Sequence, residues 1–160
     1  MVKIPKGVDD GSRIRLTGEG EAGPNGGQQG DLYIFVNVNK HNIFTREDEN
    51  LFCEIPISMI DAAVGGSIDV PTIDGGKARL KIPQGTQSGD QFRLKSKGMP
   101  HVRAGRLGDL YIQAKVETPT NLNKKQIELM MAFQEISGES ESPLSSAFFK
   151  KAKEFWKSKK

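Results

Sequence analysis

Apolar side chains fall on every second position at Leu51, Cys53, Ile55 and Ile57, the period of a strand with one buried face. The same reading gives strands at Val2 to Ile4, Arg13 to Leu16 and Leu32 to Val38, the last with alternating side chains. Ser58 to Val64 has the length of a short helix ended by Gly65-Gly66, and Ile68 to Val70 with Ala78 to Ile82 reads as a strand pair around the Asp74-Gly75 turn signal. After Pro119 the period changes from two to about 3.6. Asn123 is placed as an N-cap with Gln126 three residues on, and Ile127, Leu129, Met130, Phe133 and Ile136 follow on helical spacing. A polar break at residues 138–142 precedes Pro143, which suits the first turn of a second helix carrying Phe148, Phe149, Ala152, Phe155 and Trp156 on one stripe.

An internal repeat organises these elements. Residues 4–38 recur without a gap as residues 82–116, with 14 identities over the 35 positions, including Ile4-Pro5 with Ile82-Pro83, Arg15-Leu16 with Arg93-Leu94, and the whole run Gly30 to Ile34 with Gly108 to Ile112. The offset of 78 is too long for a solenoid unit and only one full copy fits. The chain therefore reads as mainly β: two homologous β-sandwich-like domains, the first truncated at residues 1–40 and the second at residues 41–120, followed by a helical region at residues 121–160. The opening Met1 to Pro5, close to strand sequence and without a leader, suggests an excised fragment with an added Met1.

Composition narrows the function classes. Hydrophobic residues make up 36% and charged residues 27%, while 18 glycines and 8 prolines call for many turns. The net charge of +3 is small and the lysines crowd only at the end (Lys150, Lys151, Lys153, Lys157, Lys159 and Lys160), which argues against a dedicated nucleic-acid binder. Interleaved with Phe148, Phe149, Phe155 and Trp156, those lysines fit a helix that docks its aromatic stripe and leaves its charges in water better than they fit base stacking or a membrane surface. No stretch approaches the apolar length of a membrane span, and a single cysteine points to a reducing, cytoplasmic compartment.

Catalytic and metal chemistry find little support. Cys53 excludes an internal disulfide and every multi-cysteine zinc arrangement, and its place in an alternating strand predicts a small buried hydrophobe. Gly18-Glu19-Gly20-Glu21-Ala22-Gly23 matches the dinucleotide-binding spacing, but Pro24, Asn25, Gly26 and Gly27 follow where a helix is required, and Glu19 and Glu21 would repel a pyrophosphate. His41 and His101 have no ligand partner at a local metal-site spacing, and Glu47-Asp48-Glu49 reads as a solvated turn. Neither a metal nor an enzymatic activity is expected.

Longer stretches carry a family resemblance. His41, Phe44, Arg46, Leu51 and Glu54-Ile55-Pro56-Ile57, then Asp61-Ala62-Ala63-Val64-Gly65-Gly66, Val70 to Gly75, Ile82 to Gly89, Gly108-Asp109-Leu110 and the helix start at Leu122 to Gln126 together resemble the carboxy-terminal part of the DnaJ family of heat-shock co-chaperones. The resemblance covers essentially the whole chain. It implies a co-chaperone that holds unfolded polypeptide clients in shallow apolar grooves, partly by adding an extended strand to a sheet edge, and that dimerises through its last helix. The family's J-domain, whose His-Pro-Asp loop stimulates a DnaK-type ATPase, and its four CxxCxGxG zinc modules do not occur in this sequence. Zinc and DnaK activation are thus expected only of the parent's remaining part, with no cofactor here.

Site residues follow from the same resemblance. Val2, Ile4, Ile34 and Phe35 match groove positions in the first domain, and in the second the repeat points to Leu80, Ile82 and Ile112, with Phe92 a further candidate. Phe148, Phe149, Phe155 and Trp156 are the expected dimer contacts, with Ile127, Met130, Met131 and Phe133 the surface they pack against. The alternative is a dimerisation scaffold without client binding of its own.

Overall fold

The computed structural model describes residues 2–102 and 105–157, so Met1 and the terminal Lys159 and Lys160 lie outside the described residues. Two units emerge, residues 1–118 and residues 119–160.

The first unit is built on β-pairs. Strands β1 (Arg13–Leu16) and β2 (Leu32–Phe35) form an antiparallel pair. Strands β3 (Thr45–Glu47) and β4 (Asn50–Ser58) lead into helix α1 (Met59–Val64), and β5 (Gly66–Pro71) turns back as β6 (Lys77–Ile82). Strands β7 (Gln91–Leu94) and β8 (Leu110–Glu117) complete a four-stranded sheet in the order β3-β4-β8-β7. Within it β4 runs parallel to β8, Leu51 beside Leu110 and Ser58 beside Glu117, while the other pairings are antiparallel.

Period-two burial gives the core. Leu51, Cys53 and Ile57 of β4 and Leu110, Ile112 and Ala114 of β8 face inward, meeting Val70 of β5, Leu80 and Ile82 of β6 and Ala62 of α1. Each fully buried Leu or Ile contributes about 1.5–3 kcal/mol relative to exposure. Helix α1 is short enough to depend on its cap: the Asp61 N–H donates to Ser58 Oγ at 2.9 Å, and the Ser58 hydroxyl donates back to Asp61 Oδ2 at 2.7 Å.

The repeat is reproduced in hydrogen bonds. Arg13 faces Phe35 and Leu16 faces Leu32, and Gln91 faces Gln113 and Leu94 faces Leu110, so the offset of 78 carries one register onto the other. Gly20 N–H donates to Gly30 O at 2.8 Å, as Gly98 N–H does to Gly108 O at 2.8 Å. Asp31 accepts the Gly18 N–H and pairs with Arg15; Asp109 accepts the Ser96 N–H and pairs with Arg93.

Two details depart from expectation, and a third agrees with it. Val2 to Ile4 forms no strand, although its repeat equivalent lies in β6. There β5 takes up the backbone groups, and among the described residues no strand does the same for Val2 to Ile4. Strand β2 stops at Phe35 rather than Val38, because the Val38 N–H turns to the Asp10 carboxylate at 2.8 Å. At the glycine-rich loop, Pro24–Gly26 closes one 3-10 turn with Asn25 at φ 56°, so a turn and no helix follows the dinucleotide-like spacing.

The second unit holds α2 (Lys124–Ile136) and α3 (Pro143–Lys157). A reciprocal capping box fixes the start of α2: Gln126 N–H donates to Asn123 Oδ1 and Asn123 N–H to Gln126 Oε1, both at 2.9 Å. At its other end the Ser137 hydroxyl donates to Phe133 O at 2.7 Å. Neither helix buries a residue, and none of the described helices is long and apolar enough to cross a membrane.

Candidate functional site

The expected groove residues separate by burial. Leu80, Ile82 and Ile112 are 5%, 1% and 1% exposed and belong to the core, so they present no surface to a ligand. The physical reason is that the apolar face of β6 and β8 is the one that closes the interior of the first unit. Phe92 is half-buried against that core. Val2, Ile4 and Phe35 are exposed, and Ile34 is half-buried.

Ile34 and Phe35 are adjacent on β2 and therefore point to opposite faces, so one face cannot take both. Phe35, 71% exposed, shares its face with Tyr33, the repeat equivalent of Tyr111. In the second repeat this face carries a stacked pair, Phe52 on Tyr111, with ring centroids 5.1 Å apart. It floors a depression of about 510 Å³ lined also by Ile43, Gln91 and Gln113. Tyr33, Phe52 and Tyr111 were not singled out by sequence reasoning, though period two and the repeat together contained the signal.

A larger cleft of about 720 Å³ runs between the two repeats. Val38, Phe44, Leu51, Ile73 and Met99 supply its apolar lining, and Asp9, Asp10, Lys40 and Arg46 its polar wall. The edge of β2 away from β1 meets no strand among the described residues, whereas its counterpart β8 has neighbours on both sides.

The titratable side chains near these surfaces have structural explanations. Nδ1 of His41 accepts the backbone N–H groups of Ile43 and Phe44 at 3.1 and 3.3 Å, which makes it a turn cap. Burial pushes the Cys53 thiol up, away from the thiolate form that a nucleophile needs. Among the described residues no group of three or more His, Cys, Asp or Glu side chains could hold a metal ion.

One carboxylate is tuned for structure. The Gly18 N–H at 3.0 Å, and then Arg15 Nε at 2.7 Å, hold Asp31 below its ordinary range, and Asp31 in turn raises Arg15. A lowered carboxylate contributes its stability above the unfolded-state value and loses it as pH falls through the folded one. The stability difference between the wild type and Asp31→Asn should therefore be largest at neutral pH and close as pH drops below about 4. Denaturant titrations at a series of pH values measure it; a constant difference would deny Asp31 this role.

On α2 and α3, Ile127, Met130, Met131, Phe133, Phe148, Phe149, Phe155 and Trp156 are all exposed. Phe148 and Phe149 meet edge to face at 5.4 Å.

Comparison with known proteins adds the following. Residues 1–119 match the family model described as the DnaJ C terminal domain, and residues 125–158 match that of the Chaperone protein DnaJ C-terminal region. Among curated relatives, Chaperone protein DnaJ of Pelagibacter ubique is 61% identical over 98% of this chain and 42% of its own length. Those of Roseobacter denitrificans and Brucella anthropi are 57% and 54% identical, over 99% and 97% of this chain and 41% of each relative. The chain thus spans about two fifths of the length of these relatives.

Proposed function

The chain belongs to the DnaJ C-terminal domain family, a family of chaperones rather than enzymes, and from that premise we propose that it is the polypeptide-holding and dimerising part of a co-chaperone. In the parent, clients held here pass to a DnaK-type ATPase chaperone.

The observation that carries this reading is the row of exposed apolar side chains on and just after β2: Leu32, Tyr33, Phe35 and Val38. Backbone hydrogen bonds to an edge are indifferent to client sequence, and a shallow apolar surface accepts varied side chains, so the combination yields weak, promiscuous binding to unfolded segments. Two such surfaces in a dimer raise avidity through effective concentration without any stronger contact. The exposed aromatic stripe of α3 is the proposed dimer contact, and Ile127, Met130, Met131 and Phe133 of α2 the surface it packs against.

Aggregation of a chemically denatured reporter, followed by light scattering, tests client holding. Modest suppression is expected, weakened by Phe35→Ser. No suppression at any ratio would leave only the scaffold reading.

A further inference from the structure

We propose that Arg46 is a positioning residue that clamps the first repeat onto the second and so fixes the orientation of β1-β2 relative to the four-stranded sheet.

The guanidinium lies at the start of the second repeat's sheet, on β3, yet most of its bonds reach back across the boundary. Nη1 donates to Val8 O at 2.7 Å and Nη2 to Gly7 O at 2.8 Å, while Asp9 forms an ion pair with the same Nη2. Nε donates to Asp48 O at 2.7 Å, which orients the fork from the β3-β4 turn. Only 22% of the side chain is exposed, so these charge-assisted bonds are partly shielded from competing water.

The segment it grips is pressed against the second repeat from the other side as well. Gly7 is buried at φ 88°, and a Cβ there would stand 2.0 Å from Pro100 O. Pro100 bridges to Leu107, and His101 N–H donates to Arg106 O at 2.9 Å, so the wall it meets is itself held by backbone pairing.

The repeat provides an internal contrast. Gly85, the equivalent of Gly7, donates its N–H to Ala62 O at 2.9 Å, docking its turn on α1 of its own domain, and a Cβ there would meet nothing within 4 Å. One turn thus serves within a domain in the second copy and between domains in the first. The connection from Val36 to Phe44 has no regular structure to fix the angle by itself. Arg46 supplies what the connection lacks.

Double spin labelling of the complete chain reads the orientation directly. With Cys53→Ala as background, nitroxides at Arg13→Cys and Lys77→Cys, both exposed positions, report the distance between the two repeats. Arg46→Gln should broaden that distance distribution about twofold, and Arg46→Lys, which keeps the charge but loses the planar fork, should restore it only in part. Gly7→Ala, which pushes the segment off Pro100, should broaden it with Arg46 intact. Amide protection at Leu51 and Ile112, a measure of the second sheet alone, should stay unchanged in every variant. An unaltered distribution in Arg46→Gln would overturn the proposal, as would a broadening that Arg46→Lys reverses completely. Broadening accompanied by lost protection at Ile112 would overturn it too, by making Arg46 a general stability residue.

Discussion

Gly108→Ala is expected to destabilise the first unit by about 4 kcal/mol or more, enough to abolish most single-domain stability. A Cβ at Gly108 would stand 1.9 Å from Glu49 O and 2.4 Å from Glu49 C, both backbone atoms that cannot swing aside. Four hydrogen bonds hold the two segments at that spacing. Met99 N–H donates to Glu49 O at 2.8 Å, Gly108 N–H to Met99 O at 2.9 Å, Leu51 N–H to Asp109 O at 2.9 Å, and Asp109 N–H to Asn50 Oδ1 at 2.9 Å. Relief of the clash must break them at the entry to β4 and β8, whose Leu51 and Leu110 are 2% and 0% exposed. Gly30, its repeat equivalent, offers the control: an added Cβ would meet only Glu21 O, at an ordinary 3.7 Å. Gly30→Ala should change stability by less than about 1 kcal/mol. Urea unfolding of both variants measures the pair, and equal effects would contradict the assignment of the cost to Glu49.

Ending the chain at Ser142 is expected to convert a dimer into a monomer in sedimentation. Phe148, Phe149, Phe155 and Trp156 are 53–65% exposed, so together they offer on the order of 500 Å², from side chains of about 150–250 Å² each. A standard interface buries about 800 Å² per partner. The stripe on α3 alone falls short, which is why the α2 residues Ile127, Met130, Met131 and Phe133 are assigned to the same contact. An association of this size and composition should dissociate in the micromolar range. Phe149→Asp, by forcing a carboxylate into the contact, should raise the dissociation constant at least tenfold. Monomers from both chain lengths, or dimers from both, would remove α3 from the interface.

Much of the fold was legible because local rules and tertiary burial agreed. The alternation from Leu51 to Ile57, the short helix ended by Gly65-Gly66, the Asp74-Gly75 turn and the Asn123 capping box each describe an element whose stabilising groups lie within a few residues. The repeat predicted more than periodicity did, because identical spacing of Gly, Asp and Arg reproduces an identical register. What lay beyond reach were choices between faces and between partners. Period two shows that Ile34 and Phe35 differ in environment, but which face of a strand becomes interior depends on what packs against it. For Leu80, Ile82 and Ile112 that packing placed the supposed groove inside the core. Nothing in the sequence of β4 names β8 as its parallel neighbour, and nothing around Arg46 announces that its acceptors lie in the other repeat.

That parallel pairing bears on how the molecule reaches its native state. Leu51 and Leu110 become neighbours across roughly sixty intervening residues, and such a loop must close before its contacts return any stability, which makes the step slow. The β5-β6 hairpin and α1, whose contacts are local, can form early; the sheet's central pair cannot. Until β8 arrives, Cys53, Ile55 and Ile57 stand on the part of β4 that β3 does not reach, the type of segment on which nascent chains coalesce. On the proposed function, the chain passes in its own folding through a state with an exposed apolar strand of the kind it is proposed to hold.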